Sequence, residues 1–150
     1  MYTAAPRGEL TQGDIFADVP IREISGEYER EWSGRVIVLS HSCEIRKKHC
    51  TAPLVAAIQE EAEVSPDWWG HAKAHRLANA MYLPPGENLA AGLVDFRFIH
   101  RVRKEVLVQA QKVASLTEEA QEGLTYYLTR FFARRELPAA EEAAEETGGP

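Results

Sequence analysis

The sequence predicts an α+β fold: a small β-barrel or curled antiparallel sheet with a crossover helix and a C-terminal helix. Three observations carry that expectation. Val36-Ile-Val-Leu39 is a continuous apolar run, and shorter strand-like runs lie at 14–20, 53–58, 81–83 and 92–99. Such runs, bounded by Gly, Pro and Ser, read as strands of a small sheet. Residues 60–79 turn alanine-rich, and 115–135 repeat apolar side chains at helical spacing.

Gln12-Gly-Asp-Ile-Phe-Ala-Asp-Val-Pro20 reads as a turn followed by a short strand that the proline closes. Ile21 to Ile24 opens a second strand, and the polar 25–33 segment reads as a loop or hairpin tip. Gly34 to Ser40 is the strand buried on both faces. Cys43 to Cys50 is charged and fits a loop or one helical turn, and Pro53 to Ile58 is again a strand. Ser65-Pro66-Asp67 places an N-cap and a proline where a helix would begin within 60–79. Met81-Tyr-Leu83 is short and ends at Pro84-Pro85-Gly86. In 92–99 the alternation puts Leu93, Asp95, Arg97 and Ile99 on one side, with Val94, Phe96 and Phe98 on the other. The β pattern is expected to continue through Val102 to Val108. Ser115-Leu-Thr-Glu118 matches a capping box opening the last helix, whose stripe is Ala120, Leu124, Tyr127, Leu128, Phe131 and Phe132.

These elements fit one globular domain over 1–136, followed by an acidic tail at 137–150 expected to be disordered. The 150 residues carry a formal charge of −6. Without the four Glu of the tail, 19 acidic residues face 17 basic ones, so the body is close to neutral. Its basic residues are bunched at 46–48, 97–104 and 130–135, and local patches set attraction to nucleic acid. No apolar run approaches the ~20 residues that span a bilayer. The N-terminus lacks a basic and apolar leader pattern, and there are two cysteines. That combination predicts a reduced, cytoplasmic protein with no membrane partner.

Several side chains in the stretch Ser40-His-Ser-Cys-Glu-Ile45 carry chemistry. His41 and Cys43, two residues apart, have the types of a general base and a nucleophile. His41, Cys43, His49, Cys50, His71 and His75 form an inventory of possible metal ligands, with His71 and His75 at i and i+4. None of the recognised ligand spacings occurs, so no metal or other cofactor is expected, and a small zinc-stabilised protein is a minor alternative. Trp68-Trp69 has the makings of a base-stacking platform or of a core anchor.

Gly13-Asp14-Ile15, Gly34-Arg35-Val-Ile-Val-Leu-Ser40, the strand Leu54 to Ile58, and Val113-Ala-Ser-Leu-Thr117 before the final helix give an order of motifs. That order resembles the MazF/PemK family of bacterial toxin endoribonucleases. The resemblance implies an SH3-like barrel, RNA as the partner, and metal-independent cleavage through the RNA 2′-hydroxyl. An antitoxin-like protein partner and a homodimer are further implications. Arg35 would take the role of the arginine on the scissile phosphate, where its fork fits phosphate oxygens. The family carries Ser or Thr where this chain has Ala57-Ile58-Gln59. His41 or Glu44 would then be the proton-transfer group. Arg46, Lys47, Lys48 and Arg101 are the expected nucleic-acid contacts. The alternative is a non-catalytic module that binds a protein or nucleic acid on the same barrel.

Overall fold

A computed structural model describes residues 1–4 and 8–136. The acidic tail expected at 137–150 lies outside the described residues. The apolar runs become six strands: β1 (Asp14–Ser25), β2 (Tyr28–Val38), β3 (Leu54–Gln59), β4 (Ala80–Leu83), β5 (Gly92–Arg101) and β6 (Gln111–Ser115). Among the described residues α1 (Ser42–Ile45), α2 (Pro66–Lys73) and α3 (Lys104–Gln109) lie between strands, and α4 (Glu118–Glu136) follows the last of them. The strands form one antiparallel sheet in the order β4-β5-β3-β2-β1-β6. Among the described residues no ladder joins β4 to β6, so the sheet is not closed into a hydrogen-bonded barrel.

Both faces of the sheet are apolar because its strand sequences bury both parities. Ile15, Ile37, Leu39, Ala56, Val94 and Phe96 pack against Ala120, Leu124 and Phe131 of α4. On the opposite parity, Phe16, Val19, Val36, Val38 and Val55 pack with Ile45 of α1 and Leu107 of α3. Trp69 and Ala72 of α2 bury against Ala80 and Leu93. Leu107, Leu116 and Leu124 are fully buried, and each such side chain contributes on the order of 2 kcal/mol of transfer free energy.

The structure corrects six expectations. Pro20 does not end β1, which runs on to Ser25. Past Ala17 the strand has β2 on one side only, and a proline at a free edge removes no ladder bond. The 25–33 segment is mostly strand: Gly26, at φ +60°, and Glu27 make a two-residue turn with Ser25 facing Tyr28. Polar residues there mark an arm exposed along most of its length, not a loop. Residues 104–109 are helical, because only Leu107 is fully buried while Val108 is exposed. In β5 the pairing jumps from Val94↔Ile58 to Ile99↔Ala56. The extra residues turn Ile99 to the α4 face beside Val94 and Phe96, and leave Phe98 exposed.

The fifth correction concerns the capping box. Ser115 belongs to β6 and its hydroxyl donates to Asp14 Oδ1 at 2.8 Å. Thr117 caps α4 instead, its Oγ1 accepting from Ala120 N at 3.3 Å. The 60–79 region also shortens: α2 occupies only Pro66–Lys73, with Ser65 as the N-cap that the sequence indicates. No helix among the described residues is long and apolar enough to cross a membrane.

Candidate nucleic-acid interface

β2 delivers the chain to α1 at one end of the sheet. Leu39 N donates to Leu54 O, and Ser40 Oγ accepts from Leu54 N at 2.8 Å. His41 then caps α1, its Nδ1 accepting from Cys43 N at 3.2 Å and lying 2.9 Å from Cys43 Sγ. Gln12, from the turn before β1, fixes this corner. Its N donates to Ser42 Oγ at 3.1 Å, and its Nε2 donates to Leu39 O at 3.0 Å. A cleft of about 490 Å³ opens between α1 and α4, lined by Gln12, His41, Glu118, Gln121, Glu122 and Thr125.

The loop after α1 carries Arg46, Lys47 and Lys48, and the end of β5 is brought against it. Arg101 Nη1 donates to Ala52 O at 3.5 Å, and Lys104 N donates to Thr51 O. The Lys104 ammonium caps α1 by donating to Ile45 O, with Lys47 O at 3.5 Å. Two of these cations are engaged outwardly: Arg46 with Glu9 at 3.8 Å and Lys47 with Glu44 at 2.7 Å. Lys48 and Arg103 are exposed and make no ion pair among the described residues. Arg46, Lys47, Lys48 and Arg101, expected as nucleic-acid contacts, therefore share one end of the molecule. Arg103 and Lys104 join them.

Glu44 sits in the same corner, accepting from Lys47 and lying 3.2 Å from His49 Nε2. The Lys47 hydrogen bond first, and His49 second, hold its carboxyl below the usual range. Lys47 is raised in return, by its Glu44 hydrogen bond above all. Both groups are exposed, so their attraction is screened by solvent.

Arg35 is elsewhere. It precedes Val36, which pairs with Ala57 near the far end of β3. His41 follows the segment that bonds Leu54 at the near end, and the six residues of β3 span roughly 17 Å. Arg35 Nη1 donates to Ala90 O at 2.9 Å, and Nη2 lies 3.6 Å from Glu60. With its side chain 15% exposed, it braces the loop before β5 and does not converge with His41 and Glu44.

The other sequence candidates disperse. Trp69 is buried, edge-on to Tyr82, while the Trp68 face is covered by the Arg97 guanidinium at 4.5 Å. The adjacent tryptophans therefore do not form a joint stacking platform. α2 stops at Lys73, so His71 and His75 do not share a helix face. His75 Nδ1 lies instead 3.0 Å from Tyr127 Oη. Among the described residues no group of three or more His, Cys, Asp or Glu could hold a metal.

One constellation had no signal in the sequence. The β1–β2 arm brings Glu23 to 3.5 Å from His100 Nε2, and Trp32 edge-on to the His100 ring. A cavity of about 260 Å³ lies beside them, lined by Glu23, Arg30, Trp32, Gln59 and Phe98 among others. Burial pushes the His100 imidazole down, against the smaller opposing pull of Glu23. Reading 25–33 as a loop hid the arm, and with it any reason to place Glu23 near His100.

Comparison with known proteins gives no relative: no family model matches the chain, and no curated protein matches it.

Proposed function

We propose that this is a cytoplasmic RNA-binding module, a divergent relative of the MazF/PemK toxins whose curled sheet derives from an SH3-like barrel. The observation that carries the reading is the gathering of Arg46, Lys47, Lys48, Arg101, Arg103 and Lys104 at one end of the sheet. Within it Lys48 and Arg103 are free to meet phosphate. The chain is acidic overall and Glu9 and Glu44 pair with Arg46 and Lys47 in the patch, but Lys48 and Arg103 remain, and attraction to a polyanion is set locally. Fluorescence anisotropy with a labelled mixed-sequence RNA tests it. Salt-sensitive binding that Lys48→Glu and Arg103→Glu weaken supports the reading. Binding that ignores both substitutions sinks it.

A second reading is metal-independent endoribonuclease action at the same corner. His41 and His49 flank α1 beside the cations, and 2′-hydroxyl attack needs a base, an acid and a cation. Arg35, tied to Ala90 and Glu60 away from this corner, serves the fold in this reading. Cleavage of a long RNA in EDTA, mapped by primer extension, separates the two. Discrete cuts lost in His41→Asn and retained in Arg35→Ala favour the nuclease, while intact RNA at protein excess leaves the binding module.

A further inference from the structure

We infer that Cys43 and His41 form a nucleophile–base pair, and that its electrophile is a low-molecular-weight disulfide. The inference rests on geometry at α1 and is independent of RNA binding. His41 Nδ1 accepts from the Cys43 backbone N–H at 3.2 Å while lying 2.9 Å from Cys43 Sγ. A backbone N–H can only donate, so Nδ1 carries the lone pair and the neutral ring holds its proton on Nε2. The Cys43 thiol, 2.9 Å from that nitrogen, is therefore within reach of a base whose tautomer is already fixed. Cys43 is exposed, whereas Cys50, also a free thiol, is half-buried and has no such histidine contact among the described residues.

The surrounding amides select the chemistry. Acyl transfer is favoured by free N–H donors aimed at an oxyanion. Here Cys43 N is taken by His41 Nδ1, and Glu44 N and Ile45 N both donate to His41 O, at 2.9 and 3.1 Å. Disulfide exchange needs no such donors, because the charge stays on sulfur throughout. His41 Nδ1 takes the Cys43 proton, and the thiolate attacks one sulfur of the disulfide. A new S–S bond forms as the old one breaks, and the departing thiolate receives the proton from His41. The products are a mixed disulfide on Cys43 and one free small thiol.

Oxidised glutathione added to the full-length protein tests this, with trypsin and mass spectrometry as the readout. Cleavage after Arg35, Arg46, Lys48 and Lys73 puts Cys43 in peptide 36–46 and Cys50 in peptide 49–73. Cys43 is expected to gain the adduct at least ~10-fold faster than Cys50. His41→Asn keeps a side chain that caps α1 but removes the base. It should slow Cys43 by about the same factor and leave Cys50 unchanged. Equal rates at the two cysteines, or a Cys43 rate that His41→Asn does not lower, overturns the inference.

Discussion

Ser115 Oγ donates to Asp14 Oδ1 at 2.8 Å, joining β6 to β1 across 101 residues of chain. The same fully buried carboxylate accepts from Thr11 N at 2.8 Å and pairs with Lys112 Nζ at 2.8 Å. Asp14→Ala removes the acceptor shared by Thr11, Ser115 and Lys112, an effect worth roughly 3–5 kcal/mol. Ser115→Ala deletes a single hydrogen bond and should cost about 1 kcal/mol. Urea unfolding of both variants checks the ranking; equal losses would show that the carboxylate is not the centre of the network.

Gly13 is held at φ +83°, and a Cβ there would lie 2.9 Å from Leu116 Cβ. Gly13→Ala combines backbone strain with overpacking of a fully buried leucine, for an expected loss of about 2 kcal/mol or more. Gly123 in α4 is the opposite case, with nothing within 4 Å of its added Cβ. Gly123→Ala should stabilise by up to about 1 kcal/mol through helix propensity. Thermal melts of the two variants should move in opposite directions.

His100 sets a pH dependence. Its imidazole is held below the ordinary value of 6.5, chiefly by burial, with Glu23 opposing. As pH falls through 6.5 the unfolded chain takes up this proton before the folded one does. Stability associated with His100 is therefore present above 6.5 and declines as pH drops toward the lower folded value. In His100→Gln the denaturant midpoint should vary less over that range than in wild type. A wild-type midpoint that rises on acidification across the window would contradict the assigned sign.

Lys48 and Arg103 should act on RNA through charge alone. Replacing either with Gln is expected to lower the slope of log affinity against log salt by about 0.7, the single-strand value per phosphate. The loss should be similar for RNAs of different sequence. A slope unchanged in the double variant would be incompatible with phosphate contact at this end.

Much of the architecture is legible in the strings of residues. Val36-Ile-Val-Leu39 reads as a strand buried on both faces, and β2 takes in Val36 to Val38, while Ser65-Pro66 opens α2 where capping chemistry puts it. The stripe from Ala120 to Phe131 faces the sheet as its spacing requires. Errors cluster where a local pattern has two outlets. Ser115 and Thr117 both offer a hydroxyl before α4, and the demand of buried Asp14 for donors decides between them. Charged residues among valines at 102–108 fit a strand or a helix equally well, and within 104–109 the one buried position, Leu107, goes with the helix.

The sequence by itself determined the α+β class and the two-faced sheet, because periodicity is written in consecutive residues, whereas the turn into α1 set the contact of His41 with Cys43. Tertiary structure alone decided that Arg35 lies the length of β3 from His41, and that loop 46–48 meets Arg101 and Lys104. It also decided that Glu23 reaches His100. Those relations depend on strand register and on where β5 bends. Register is fixed by the simultaneous burial of both sheet faces, and no short window of sequence contains that information.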